Sequence, residues 1–67
     1  MSTFGNNLKP LRKANKLSQK EFAKKMETTQ QRVSEWECDK VEPSLFNILK
    51  IIKVLNTTFE ELTEDIE

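Results

Sequence analysis

Three side chains in the run TTQQRVSEWE, residues 28–37, offer chemistry that little else in this chain can supply: the amides of Gln30 and Gln31 and the carboxylate of Glu35. A side-chain amide presents a donor and an acceptor side by side. That pattern matches the N7 acceptor and N6 donor of adenine in the major groove, where a bidentate pair contributes about 1–3 kcal/mol of discrimination. A carboxylate can accept from cytosine N4. Catalytic chemistry is poorly supplied. The chain has no His, no Gly-rich phosphate loop and no paired carboxylates in a plausible cleft, so the usual general base and phosphate cradle are missing. The single Cys38, without His, can build neither a zinc finger nor an internal disulfide. No metal, cofactor or small-molecule ligand is expected.

The value of the amides depends on the helix that would carry them. Counted at helical spacing from Gln30, Val33 and Trp36 fall on one side. Gln30, Gln31, Ser34 and Glu35 fall within an arc of about 140° on the other, with Arg32 and Glu37 on the flanks. One face packs and the opposite face is free to read. A solvated helix face would show the same pattern. The position of the amides, at the start of the helix and just after a separate capped helix, favours a reading face. Ser18 and Glu21 form a capping box for that preceding helix, with Leu17 and Phe22 at the staple positions and Phe22, Ala23 and Met26 turned inward. The turn is Glu27–Thr28, and Thr29 caps the reading helix.

The remaining spacing is helical throughout. A first helix is expected over about residues 7–15, with Leu8 and Leu11 inward. Pro10 is tolerable only in a first turn, which places the start at Asn6 or Asn7. Cys38–Pro43 reads as a polar loop. A helix over Leu45 to Leu55 follows, with Leu45, Ile48, Leu49, Ile52 and Leu55 as its inward arc and Phe46, Ile51 and Val54 outside it. Thr58 and Glu61 suggest a second capping box for a short last helix carrying Phe59 and Leu62. The acidic tail after Thr63 is expected to fray. The fold class is therefore all-α, with residues 1–67 as one domain.

Sixty-seven residues, 33% charged and 36% hydrophobic, suit one small folded domain with a limited core. There is no membrane-length apolar run and no secretory signal, and a lone cysteine suits a reducing cytoplasm. Net charge is zero, which is not the usual footprint of a nucleic-acid binder. Its distribution is uneven. Residues 1–40 hold nine bases and five acids, a net of +4, and residues 41–67 hold two bases and six acids, a net of −4. A basic front would meet an anion while the acidic end points away; a chance split would look the same.

In register, these features resemble the helix-turn-helix of the lambdoid phage repressor and Cro family (XRE type). Gln19, Ala23, Val33 and Trp36 stand at the family's characteristic positions. The run Thr28-Thr29-Gln30-Gln31 resembles the start of a lambdoid recognition helix, and the likeness extends from Leu8 to Leu62. It implies a five-helix lambda-repressor-like domain whose helices 2 and 3 form the motif. By the same resemblance, Gln30, Gln31 and Glu35 would read bases, with Thr29 close to base or phosphate. Gln19 would bond a phosphate and buttress Gln30. Lys40 and the region of Ser44 would touch the neighbouring backbone. Ser18, Thr28, Arg32 and Ser34 are further candidates for positioning on phosphate. Arg12 and Glu37 match a structural ion pair between helices 1 and 3. The chain departs from the family in two places: Glu27 stands where a turn glycine is usual, and Glu35 carries a negative charge. Glu35 can select cytosine, pair with Arg32 or weaken binding.

The expected function is a sequence-specific double-stranded DNA-binding regulator, a repressor, working as a homodimer on a palindromic operator. Phe59, Leu62 and Ile66 are the candidate dimer contacts. The alternative is a protein-binding antitoxin or adaptor module on the same fold, which zero net charge and the acidic tail favour. Trp36 reads as a core anchor and Cys38 as an inert helix-end residue.

Overall fold

The computed structural model describes residues 1–66. Five helices follow in order: α1 (Phe4–Ala14), α2 (Gln19–Met26), α3 (Gln30–Glu37), α4 (Leu45–Leu55) and α5 (Phe59–Leu62), with no strand among the described residues. Each begins after a hydroxyl residue with extended backbone: Thr3, Ser18, Thr29, Ser44 and Thr58. In each case the side chain accepts from the N–H three residues on. Such caps typically contribute about 1 kcal/mol each, and in a chain this short they fix where every element starts. The Ser18–Glu21 box is reciprocal, with bonds of 2.9 and 3.0 Å. The Thr58 cap is not. Glu61 instead accepts from the hydroxyls of Thr57 and Thr58.

α1 begins earlier than its sequence suggests. Thr3 caps it, and Pro10 lies inside the helix rather than in its first turn. Pro10 deprives the Asn6 carbonyl of its helical partner, but both residues are exposed, so water can take that place. Asn7 caps nothing. Its amide donates to the carbonyls of Leu62 and Glu64 at 2.9 and 2.8 Å. With the Ser2 N–H on the Asp65 carbonyl, these bonds tie residues 64 and 65 to α1, where fraying was expected. Of that tail, Glu67 lies outside the described residues.

The core consists of Leu8, Phe22, Ala23, Met26, Val33, Trp36, Ile51, Leu55 and Leu62. α3 packs against both α1 and α2, α2 also meets α4, and α1 meets α5. α4 is rotated from the expected arc. Ile51 and Leu55 are its buried residues, with Ile48, Ile52 and Val54 packed beside them, while Leu45 and Leu49 face outward with Phe46.

The turns use no glycine. Lys16, Glu27, Asp39, Asn56 and Asp65 all have positive φ, a conformation that costs an L-residue about 1–2 kcal/mol. The only glycine, Gly5, sits inside α1, where it serves close approach. A β-carbon there would overlap the Glu37 carbonyl oxygen and lie 2.7 Å from the Glu37 carbonyl carbon and 2.8 Å from the Trp36 carbonyl oxygen.

Candidate nucleic-acid interface

α3 is held as its two faces require. Val33 and Trp36 are fully buried. Gln30 and Gln31 are exposed, and Ser34 and Glu35 are half-exposed. The opposition inferred from helical spacing is therefore present, and Trp36 is a core anchor. None of the hydrogen bonds among the described residues engages the side chains of Gln30 or Gln31, so both amides keep donor and acceptor for an outside partner.

The turn before α3 keeps its geometry without glycine. Glu27 caps α2 at φ 59°, ψ 42°, and its N–H bonds back to the Ala23 and Lys24 carbonyls. Its carboxylate accepts from Lys50 of α4 at 2.9 Å. That hydrogen bond, and then the lysine charge, lower the carboxyl pKa below its ordinary range. Glu27 thus ties the turn to α4, which a glycine could not do.

The C-terminal end of α3 is fixed by charge. Arg12 meets Glu37 in a fork: Nε donates to Oε2 at 2.6 Å and an Nη to Oε1 at 3.1 Å. The side chains are only 7% and 3% exposed. The other Arg12 Nη donates to the Leu17 carbonyl at 2.6 Å, and Gln19 Nε2 donates to Glu37 Oε1 at 3.1 Å. With its Coulombic partner and these hydrogen bonds, the buried pair leaves no buried side-chain nitrogen or oxygen unsatisfied among the described residues, the condition for such a pair to be tolerated. Gln19, expected on phosphate, thereby also belongs to this network. Its amide has a second N–H in reserve.

Glu35 pairs with Arg32 at 3.6 Å, one turn of helix apart. Both are partly exposed, so the contact is weak and screened; it offsets only part of the negative charge on the outer face of α3. Ser18, Thr29 and Ser44 each spend an oxygen lone pair on capping. The hydroxyl hydrogens of Thr29 and Ser44 remain to donate, and the first N–H groups of α2, α3 and α4 have no partner within the helix. Hydroxyls and N–H groups at helix starts suit phosphate oxygens. Thr28 is half-exposed, and Lys40 is exposed just beyond α3. The Ser18–Glu21 box lowers the Glu21 pKa, chiefly through the Ser18 N–H and then its hydroxyl.

Of the dimer candidates, Leu62 is fully buried inside its own protomer and unavailable to a second copy, whereas Phe59 and Ile66 are 55% and 40% exposed. Two contributors escape sequence reasoning. Gly5 carries no turn signal because its role is close approach. Asp39, two residues past α3, accepts from the Gly5 N–H at 2.9 Å and the Thr3 hydroxyl at 2.6 Å, across a sequence gap that no local pattern reveals. Among the described residues no group of acids and cysteine could hold a metal, and no helix is long and apolar enough to cross a membrane.

No curated protein and no solved structure matched the chain. A family model described as helix-turn-helix matches residues 8–62, the span over which the sequence resembles lambdoid repressors. The family is one of DNA-binding regulators, and its all-α lambda-repressor-like fold is the arrangement seen in the five helices. The chain belongs to the XRE-type helix-turn-helix family, of the Cro and C1-like kind.

Proposed function

We propose that this chain is a sequence-specific transcriptional regulator that reads the major groove with the outer face of α3 and acts as a repressor. One observation carries the reading: Gln30 and Gln31 stand exposed and unengaged on a helix whose opposite face, Val33 and Trp36, is locked in the core. Gln30, Gln31 and Glu35 read base edges, with Thr29 at the groove margin. Gln19, Ser18, Thr28, Arg32, Ser34, Lys40 and Ser44 position the helix on phosphates. When Arg32 moves to a phosphate, Glu35 is released towards cytosine N4. Occupying an operator excludes other proteins from it, so repression needs no further part.

So small a module makes few base contacts, and useful specificity calls for two copies on a palindrome, with half-sites about 10 bp apart. Phe59 and Ile66 remain candidate contacts. A larger apolar surface lies on α4, where Leu45, Phe46 and Leu49 are 70%, 83% and 50% exposed. Together these three offer about 400 Å² per copy, given roughly 200 Å² for a large side chain. Two copies would bury about 800 Å², short of the roughly 1,200 Å² of a stable interface.

Selection from a random duplex library tests base reading, spacing and symmetry together: a palindromic consensus is expected, and no enrichment refutes the proposal. The same α4 strip, with zero net charge, also supports a protein-binding adaptor. Salt separates the two. DNA binding loses affinity with a log–log slope of about −0.9 per phosphate contacted, and a salt-insensitive complex with a protein favours the adaptor.

A further inference from the structure

We infer that Asp39, outside the reading face, is a positioning residue that sets the tilt of α3 against α1 and hence base discrimination; this rests on the proposed DNA reading. Asp39 lies just past the end of α3 with φ 60°, a backbone state that side chains rarely adopt. Both its oxygens are engaged by the start of α1: Oδ1 accepts from the Gly5 N–H at 2.9 Å and Oδ2 from the Thr3 hydroxyl at 2.6 Å. Thr3 at the same time caps Asn6, so two side chains divide the free N–H groups of one helix start. The carboxylate also faces the positive end of the α1 dipole. Beneath this clasp the backbones of Gly5 and Glu37 are in direct contact, with no room for a β-carbon.

The end of α3 thus has two ties to α1. Arg12–Glu37 is buried and resists change in separation. The Asp39 clasp is exposed and grips α1 at Gly5, seven residues and about 10 Å along that helix from Arg12, so it resists rotation about that pair. α3 has eight residues and spans only about 12 Å; a few degrees at one end displace the amides at the other by a sizeable part of a hydrogen-bond tolerance. Asp39 also precedes Lys40, whose N–H returns to the Glu35 carbonyl at 2.9 Å. The clasp therefore fixes where the loop beyond α3 begins.

The test uses Asp39→Gly and Asp39→Asn in the full chain. Glycine removes both bonds but suits a positive φ, so folding is retained. Asparagine keeps an acceptor for Gly5 and tolerates the same backbone. Affinity is measured for the selected duplex and an unrelated one, and residual dipolar couplings give the α1–α3 angle of the free protein. Asp39→Gly is expected to change that angle and lower the preference for the selected duplex by about fivefold or more, the value of one modest base contact. Binding to the unrelated duplex should hold or rise, because a negative charge has gone. Asp39→Asn should restore both angle and preference. General destabilisation would weaken both duplexes equally. An unchanged angle, or an unchanged preference at a changed angle, overturns the inference. If the wild type prefers no duplex, the DNA reading fails and the angle alone decides the clasp. Should Asp39→Gly not fold, Thr3→Asp keeps an acceptor for the Asn6 cap but cannot donate to Asp39, and its angle and ratio of affinities are read in the same way.

Discussion

Gly5 rests directly on the carbonyl of Glu37, so closely that the space for a side chain is already filled by backbone. This contact lets α1 meet the last turn of α3, and it reverses the usual effect of a helical glycine. On an open helix, Gly→Ala is stabilising by about 0.5–1 kcal/mol. Here the obstructing atoms are backbone and cannot rotate away, and overpacking costs about 1–3 kcal/mol. Gly5→Ala is expected to lower stability by a net ~1–2 kcal/mol, read from the urea midpoint. A raised midpoint would show that the two helices do not meet this closely.

The Arg12–Glu37 pair makes a prediction of opposite character. Removing one partner of a buried pair strands the other and costs about 3–5 kcal/mol. For so small a domain that is most of the stability, at roughly 0.05–0.15 kcal/mol per residue. Arg12→Met or Glu37→Leu alone should be largely unfolded by circular dichroism at 25 °C. The double variant should refold, since the Leu17 carbonyl and Gln19 are half-exposed and can turn to water. A double variant no better than the singles would show that the hydrogen bonds to Leu17 and Gln19, rather than charge burial, dominate.

The Arg12–Glu37 pair is implied by the family resemblance, whereas the Gly5 contact marks the limit of what the sequence reveals. Hydroxyl caps are local, and Ser18, Thr29, Ser44 and Thr58 are each legible from a few residues. The two faces of α3 are legible because its apolar residues occupy a narrow arc. α4 is different. Of its eleven positions only Asn47, Lys50 and Lys53 are polar, so no single arc is distinguished and the core selects Ile51 over Leu45 and Leu49. The start of α1 was obscured by Pro10, whose exposed position removes the penalty that a buried carbonyl would impose. Asp39 and Asn7 act on residues more than 30 positions away. Their partners become visible only once the chain has closed.

The turn at Glu27 separates backbone strain from a surface contact. Glu27→Gly and Glu27→Ala both lose the bond to Lys50, but only glycine relieves the positive φ. Glu27→Gly should therefore unfold at a higher urea midpoint than Glu27→Ala. Equal midpoints would mean that the turn relaxes when the side chain is cut back.

Acid stability follows from the caps. The Ser18 N–H and hydroxyl hold the Glu21 carboxyl below its ordinary value of 4.5. A carboxyl depressed in the folded state contributes stability above its unfolded pKa, and loses it as pH falls through the folded value. The loss therefore lies below about pH 4.5. Glu27 shifts in the same direction through Lys50. Glu21→Gln should narrow the difference between denaturant midpoints at pH 7 and pH 3 relative to wild type. If the two proteins lose the same amount, the charge of Glu21 does not support the cap.

Gln30 and Gln19 are both amides of the motif, yet they should fail in different ways. Gln30 is exposed, and none of the hydrogen bonds among the described residues engages its side chain. Gln30→Ala should therefore leave folding intact, reduce binding to the selected duplex by about 1–3 kcal/mol, and relax preference at one base pair. Gln19 donates to buried Glu37 and keeps one N–H for a phosphate. Its loss should weaken all duplexes alike, lower the salt slope by about 1, and also reduce stability, because a charged acceptor in the interior loses a donor. Titrations of both variants against the selected duplex and single-base changes, at two salt concentrations, distinguish these outcomes. A uniform loss for Gln30→Ala would remove it from the base readers, and an unaltered melting temperature for Gln19→Ala would remove Gln19 from the Arg12–Glu37 network.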